Sequence, residues 1–501
     1  MRWGRVGAAG LAVALLWGLA APARATSVGG IPRLSDATLG VLRTVCDLQW
    51  VEGPCEATGY ADPQYRTTTE PDLGQPLRPR IGIVHEHSGY SDGDPTTRPA
   101  DYFRAAREGH NVADAGGDTG IKVDFLISSE HTENEKLPIT TAEACLNAPA
   151  IPASLSELRL DGAFPGLACP HLIEAEHHRK WDETLRQAVD ATERTGGQYS
   201  GFTAMRGFEF TNDVANHLGV YFSRNARNAK IDGSYLSTDL FWDWLRRPAE
   251  HGGGSDGLVV FNHPGGTSNL TPFNDGAITG DVVQALLGAA NWHDYAYVPS
   301  VDAQVSGMEV HGGDHIGWYV KALTNGWHLG PVYGEDEHQR EWSSSEDGKT
   351  VMLTRGRSPR DYYFALQQRR TMAYSKDVVG GSPGQGATYP VVSFWADGAS
   401  LDAPGAAPLG SRLRGGTHAL ELSATGLAPG SRAVLVRRAG GTPQLLGTAG
   451  ANGSVRAHAS LTAPATGEDW AFVVICGTDS RDCGRDGLHD VVTAPIWVRA
   501  A

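Results

Sequence analysis

Residues Ile81 to Gly93 read IGIVHEHSGYSDG, and the reading of the whole chain turns on them. Four apolar or small residues lead into His85-Glu86-His87, so the histidine pair falls where a buried strand runs out into a loop. Side chains alternate faces along a strand. That puts His85 and His87 on one face, about 6.5–7 Å apart between Cα atoms, where two imidazoles can share a metal ion. Five residues further on, Asp92 sits in Ser-Gly-Tyr-Ser-Asp-Gly, whose glycines let the backbone fold that carboxylate back over the strand end. His-x-His alone is a weak metal motif, because two strand histidines can simply pack and hydrogen-bond.

Working outward, strand-like and helical runs follow one another from 81 to about 380, the pattern of an α/β region. Strands are expected at Val123 to Ser128, Phe202 to Phe210, Leu218 to Phe222, Leu258 to Phe261 and Gly307 to Val310. Helices are expected at Pro99 to Glu108 with Thr97 as cap, and at Asp239 to Arg246, Asp281 to Ala290 and Pro359 to Arg369. An insertion, Asn134 to Ser200, carries a helix in which Ile173, His177, Trp181, Leu185 and Val189 recur every fourth residue. The strand ends gather ligand types. Glu130-His131 ends the second strand, Glu209 lies in RGFEF, His217 opens HLGVYF, His263 lies in FNHPGG, and Asp336-x-His338 lies in GEDEH. Imidazole and carboxylate suit zinc, iron or manganese, and more than four ligands imply more than one ion. Sites at the carboxyl ends of barrel strands would bring them together, and two or three ions can clamp the oxygens of a phosphoryl group.

This succession of motifs, HEHSGYSDG, FLISSEH, RGFEF with HLGVYF, VFNHPGG and GEDEH, resembles the polymerase and histidinol phosphatase (PHP) superfamily of metal-dependent phosphoesterases over about 260 residues. The resemblance implies a distorted (β/α)7 barrel and two or three metal ions that hydrolyse a phosphate ester with a metal-bridging hydroxide. It assigns His85, His87 and Asp336 to one ion, with Glu209 bridging to its neighbour. Asp92, or a side chain near it, His131 and His338 go to a second ion. Glu209, His217 and His263 go to a third. Glu209, His87 and Asp336 would be catalytic, with Asp336 passing on the proton. Two departures stand out: Glu130 where the family has Asp, and Glu335 in Gly334-Glu335-Asp336 where it has Ser. The longer Glu130 should shift its hydrogen bond to the site. Glu309 and His311 could support the ligands from behind. Arg206 could meet a substrate phosphate, although a structural ion pair is the simpler reading of it. The amidohydrolases also open on His-x-His but use a bridging lysine, and no lysine falls at a strand end here. A third reading is a secreted binding protein whose ions only stabilise it.

The 501 residues suit two or three domains. Residues 1–25 read as a signal peptide ending Ala23-Arg24-Ala25, 26–80 as a lead-in, 81–380 as the hydrolase region, and 386–501 as a small all-β sandwich after the flexible stretch GGSPGQG. Past the signal there is no run long enough to span a membrane, so a secreted or periplasmic protein is expected. Removal of the signal leaves 39 basic against 57 acidic residues, a formal charge of −18 that weighs against a nucleic-acid partner and, together with a narrowed mouth, for small phosphorylated substrates over long polyanions. The insertion, beginning three residues after His131, is expected to act as a lid. Six cysteines in an exported chain suggest disulfides, Cys46 with Cys55, Cys145 with Cys169 and Cys476 with Cys483, by nearness alone.

Overall fold

The computed structural model describes residues 27–28, 31–32, 65–112, 117–132, 169–212, 215–231, 234–235, 237–265, 290–311, 315–438, 442–478, 483–484 and 491–501, with the backbone alone at 27–28, 31–32, 169–179, 230–231, 234–235, 250 and 290. The signal segment, most of the lead-in, the first part of the insertion, the helix expected at Asp281 to Ala290 and the cysteine pairs Cys46/Cys55 and Cys145/Cys169 lie outside what is described.

The principal elements run as follows. Strand β1 (Arg78–Ile83) precedes helix α1 (Pro99–Glu108), β2 (Phe125–Ile127) and β3 (Glu130–His131). Helix α2 (Cys169–Ala191) leads to β4 (Thr203–Met205), β5 (Gly207–Phe210) and β6 (Leu218–Tyr221). Next come α3 (Thr238–Arg246), β7 (Leu258–Phe261), β8 (Val305–Glu309), α4 (His315–Asn325), β9 (Gly330–Val332), β10 (Lys349–Thr354), α5 (Pro359–Gln367) and β11 (Thr371–Tyr374). The C-terminal part is all strand: β12 (Val391–Ala396), β13 (Ala407–Pro408), β14 (Arg412–Arg414), β15 (Thr417–Thr425), β16 (Arg432–Arg437), β17 (Gln444–Thr448), β18 (Val455–Thr462), β19 (Glu468–Cys476), β20 (Val491–Thr493) and β21 (Ile496–Arg499).

The expected (β/α)7 barrel followed by a separate sandwich is not the fold. Strand exceeds helix, 33% against 18%, and no closed barrel is found among the described residues. Six strands form one sheet in the order β9-β8-β7-β6-β5-β3. An eleven-stranded sheet runs β14-β21-β19-β20-β11-β10-β1-β2-β4, with β16 on β19 and β17 on β16. Two features of the chain explain the difference. Each of two strand runs breaks, at Ser128-Ser129 and at Arg206, so that its first half pairs in the large sheet and its second half in the small one. Many neighbours are also antiparallel, β5 with β6, β6 with β7, and β1 with β10, and such pairs need no crossover helix. Through β11 and β20, paired from Met372↔Thr493 to Tyr374↔Val491, the large sheet continues into the C-terminal strands, so these do not form a free-standing sandwich. The glycine-rich connector is likewise docked: Lys122 N donates to Gln385 O at 2.7 Å and Ala387 N to Lys122 O at 2.9 Å.

Local chemistry explains the helices. Ser358 and Asp361 cap α5 reciprocally ahead of Pro359. The residue at the N-cap of α1 is Arg98, with Asp101 accepting from its N–H, while Thr97 turns its hydroxyl to Asp94 O. Among the described side chains of α2 the buried ones are Lys180, Trp181, Thr184, Ala188 and Ala191, whereas Val189 is exposed. A strict period of four drifts about 40° per step round a helix, so the stripe read from Ile173 leaves the buried face by Val189. Phe208 and Phe210 of β5 face Trp181, Phe241, Trp244 and Trp292 in one core. Glu209 between them faces the other way. On that side Tyr221 lies over two glycines: a Cβ at Gly219 would stand 2.3 Å from its hydroxyl, and one at Gly207 2.5 Å from its ring. Cys476 and Cys483 form a buried disulfide. Among the described residues no helix is long and apolar enough to cross a membrane.

Candidate metal centre

His85 and His87 leave β1 fully buried, with ring centroids 5.0 Å apart. Both Nε2 atoms point at carboxylates. His85 Nε2 is 3.2 Å from Glu209 Oε1 and 3.3 Å from Asp336 Oδ1, and His87 Nε2 is 3.0 Å from Asp336 Oδ1. Neither Nε2 is in hydrogen-bonding geometry with any group. Buried nitrogens aimed at oxygens they do not bond form a donor set that can hold a metal ion.

The parallel register of β3 on β5 sets His131 beside Glu209, and the hairpin of β5 with β6 brings in His217. Glu209 consequently sits at the centre. Its Oε1 is 3.3 Å from His217 Nδ1 and 3.4 Å from His263 Nε2, and its Oε2 is 3.2 Å from His131 Nε2. Asp92 Oδ1 lies 3.4 Å from His131 Nε2 and 3.1 Å from His338 Nε2, and the His338 ring stacks on His87 at 4.1 Å. Three interlocking groups result: His87, Asp92, His131 and His338; His85, His87 and Glu209; and Glu209, His217 and His263. Within each, one ligand atom per residue lies within 4.8 Å of the others. Eight of the nine expected ligands fall within these groups, and the ninth, Asp336, lies beside His85 and His87 without belonging to one. Asp336, 41% exposed, marks the open side. Asp336 and His263 both hold left-handed backbone, φ 55° and 26°, a conformation that costs energy in a non-glycine residue and is kept where the surroundings enforce it. For Asp336 the restraint includes its N–H bond to His85 O at 3.0 Å.

Behind the ligands stands a set of residues that orient them. Glu309 accepts from His85 Nδ1 at 2.7 Å and from His263 N at 2.6 Å. Asn262 Nδ2 donates to Glu209 Oε1 at 2.7 Å, and Trp342 Nε1 to His87 O at 3.0 Å. The Tyr221 hydroxyl donates to Val84 O. His311 stacks on Tyr333 and accepts from Gly334 N, and burial pushes its pKa down to about 4 despite Glu309 nearby. A side chain at Gly334 would collide with Glu309 and His85, so this position next to the ligand segment must be bare. Glu335 turns away from the ligands to the buried Lys349 ammonium at 2.6 Å.

The electrostatics favour a cation. Burial would raise the Glu209 carboxyl, but His217, His85 and His131 together hold it well below the usual range. Asp336 and Asp92 are held low in the same way, by His85 and His87 and by His131 and His338, against their own desolvation. His85 is pushed well above its ordinary value, because Glu209, Asp336 and Glu309 overcome its burial. His87 goes down, through burial and the charge of His338. A divalent ion entering this field would meet carboxylates already held ionised.

Arg206 is not among these residues. Its Nη1 donates to Trp181 O at 3.1 Å and its guanidinium lies 3.7 Å over the Trp181 ring. Three residues from Glu209 along extended chain is an odd step, which turns the arginine to the opposite face. Ser88, Ser91, Asn262 and Tyr221 escaped the sequence reading. A polar Asn262 closing the apolar run LVVF, and the glycine two residues before Tyr221, were the available signals.

No family model matches the chain, and no curated protein does. Among solved structures it is similar to PsfC from Pseudomonas syringae, at 14% identity over 57% of this chain and 88% of that one, with a TM-score of 0.29. It is also similar to an engineered protein, at 10% identity over 85% and 94% of the two chains, with a TM-score of 0.16. Likenesses this low carry no structural argument.

Proposed function

We propose that the chain is a metal-dependent hydrolase of small phosphate esters, of the class its ordered motifs resemble, acting outside the cytoplasm. The observation that carries the proposal is the sharing of ligands: His87 belongs to two of the three candidate groups and Glu209 to two. Structural sites are typically closed, four-ligand and separate. Linked groups that open at Asp336 suit ions that act together on one substrate. Two or three divalent ions there, zinc, manganese or iron, would make water nucleophilic near neutral pH and offset charge on the phosphoryl oxygens.

The chain's own contributions follow from the contacts. Glu309 fixes the His85 ring so that Nε2 faces the cluster, and Asn262 fixes the central carboxylate. Asp336, half exposed at the mouth, stands between the cluster and solvent, the place from which a proton released at the cluster would be passed out. Arg206, turned to Trp181, is given no role in holding substrate in this proposal. The test is to assay protein loaded with zinc, manganese or iron on an aryl phosphate, an oligonucleotide and an N-acyl amino acid. The expected result is turnover of the aryl phosphate, lost in His87→Ala. Turnover of the amide alone would make it an amidohydrolase, and full metal content with no turnover would make the ions structural.

A further inference from the structure

Asp92 reaches the cluster from a turn, unlike the ligands delivered by strand ends, so something other than the sheet must set its place. The turn is closed by Ser91 N to Ser88 O at 3.1 Å and Gly93 N to Ser88 O at 3.0 Å. A Cβ on Gly93 would stand 2.8 Å from the Ser88 carbonyl carbon, so the closure admits no side chain there. Inside the turn lies the buried carboxylate of Glu130. It accepts from Ser88 Oγ at 2.5 Å, Ser88 N at 3.2 Å, Ser91 Oγ at 2.6 Å and the Tyr102 hydroxyl at 3.2 Å. On the outside, the buried Lys180 of α2 donates to Tyr90 O at 3.1 Å, Glu183 accepts from the Tyr90 hydroxyl, and Gln187 donates to it.

A carboxylate offers about four lone-pair sites, and four donors occupy those of Glu130. Strand alternation also turns Glu130 away from the face on which its neighbour His131 meets Glu209. It is therefore not a ligand. We propose that Glu130 is a positioning residue that presets Asp92, so that the ion position formed by His87, Asp92, His131 and His338 depends on Glu130 while the other two do not. The extra methylene relative to aspartate belongs with the pair of serines it reaches. Residues Ser88, Ser91 and Glu130 form one device, and α2 braces it from behind through Tyr90. The proposal rests on the reading of the cluster as a metal centre, though not on which reaction it performs.

The test is metal binding by the full chain, read as ions per chain and affinity in zinc or manganese titrations. Wild type, Glu130→Ala, Asp92→Asn and the double variant are compared, with Ser91→Ala as a milder probe should Glu130→Ala not fold. Glu130→Ala and Asp92→Asn are each expected to weaken one ion position about 10- to 100-fold and to leave the others at wild-type affinity. The double variant should bind no more weakly than Asp92→Asn alone, because Glu130 acts through Asp92. Ser91→Ala should weaken the same position by less. Full occupancy at wild-type affinity in Glu130→Ala, or losses that add in the double variant, would overturn the positioning role. A wild type that binds no ion would overturn the metal reading itself and this proposal with it.

Discussion

Replacing Glu309 tests whether the cluster depends on the residues behind it. Glu309 is fully buried, and its two oxygens serve different ligands, His85 through Nδ1 and His263 through the backbone N–H. A hydrogen bond to a charged group contributes about 1.5–3 kcal/mol, and breaking a buried charge pair on one side costs about 3–5 kcal/mol. Glu309→Ala leaves both donors buried without an acceptor, so it should destabilise the metal-free protein by about 3–5 kcal/mol in urea unfolding. Glu309→Gln keeps one acceptor oxygen and sets an amide against the other donor, so it should lose about half as much. In metal titrations the freed His85 ring should cost about 10- to 100-fold in affinity, or about 1.4–2.8 kcal/mol. An alanine variant within about 0.5 kcal/mol of wild type, binding metal as wild type does, would refute the claim that this carboxylate holds the ligands in place.

Two further perturbations probe other parts of the account. Gly219→Ala puts a methyl group 2.3 Å from the Tyr221 hydroxyl and 3.2 Å from Asn262 Oδ1, so it should cost about 1–3 kcal/mol of stability and lower metal affinity; an unchanged melting temperature would contradict it. His328 joins the loop before β8 to the C-terminal sheet, with Nδ1 2.8 Å from Asp302 Oδ2 and Nε2 2.6 Å from Glu468 Oε2. Arg412, Arg369 and Tyr297 are the other titratable groups nearby. Burial lowers the His328 pKa, but its two carboxylate partners outweigh that and raise it above 6.5, while both carboxylates are lowered. A raised histidine contributes fully below its unfolded value and loses the contribution as pH rises through the folded value; the lowered carboxylates contribute above theirs and lose it in acid. The stability gap between wild type and His328→Asn should therefore be largest near pH 5–6, on the order of 3 kcal/mol, and shrink toward alkaline pH. A gap that grows from pH 6 to 9 would contradict the ion-pair reading.

The candidate site was legible because ligand types are written locally: imidazoles and carboxylates at the ends of apolar runs such as VDFLIS and LVVF can be read without knowing the pairing. The sheet architecture was not legible in that way. β1 finds its antiparallel partner β10 far along the chain, and β11 joins β20 across the glycine-rich connector, so periodicity gives the strands but not their neighbours. The breaks at Ser128-Ser129 and Arg206, which send each run into two sheets, look like continuous strand by composition. Glu309 could be flagged as a strand end, but its double acceptor role depends on where His85 and His263 meet in space. Arg206 was open to a better reading, since its odd spacing from Glu209 already turned it from the cluster.

The central claim is that Glu209 and the histidines around it hold several ions at once. Elemental analysis of the wild type and Glu209→Ala, each equilibrated with manganese or zinc and freed of excess metal, measures this directly. The account predicts two or three ions per wild-type chain, with the variant losing those that depend on the shared carboxylate and losing aryl phosphate hydrolysis with them. A wild type that retains no metal, or a variant that retains the full complement, would contradict it.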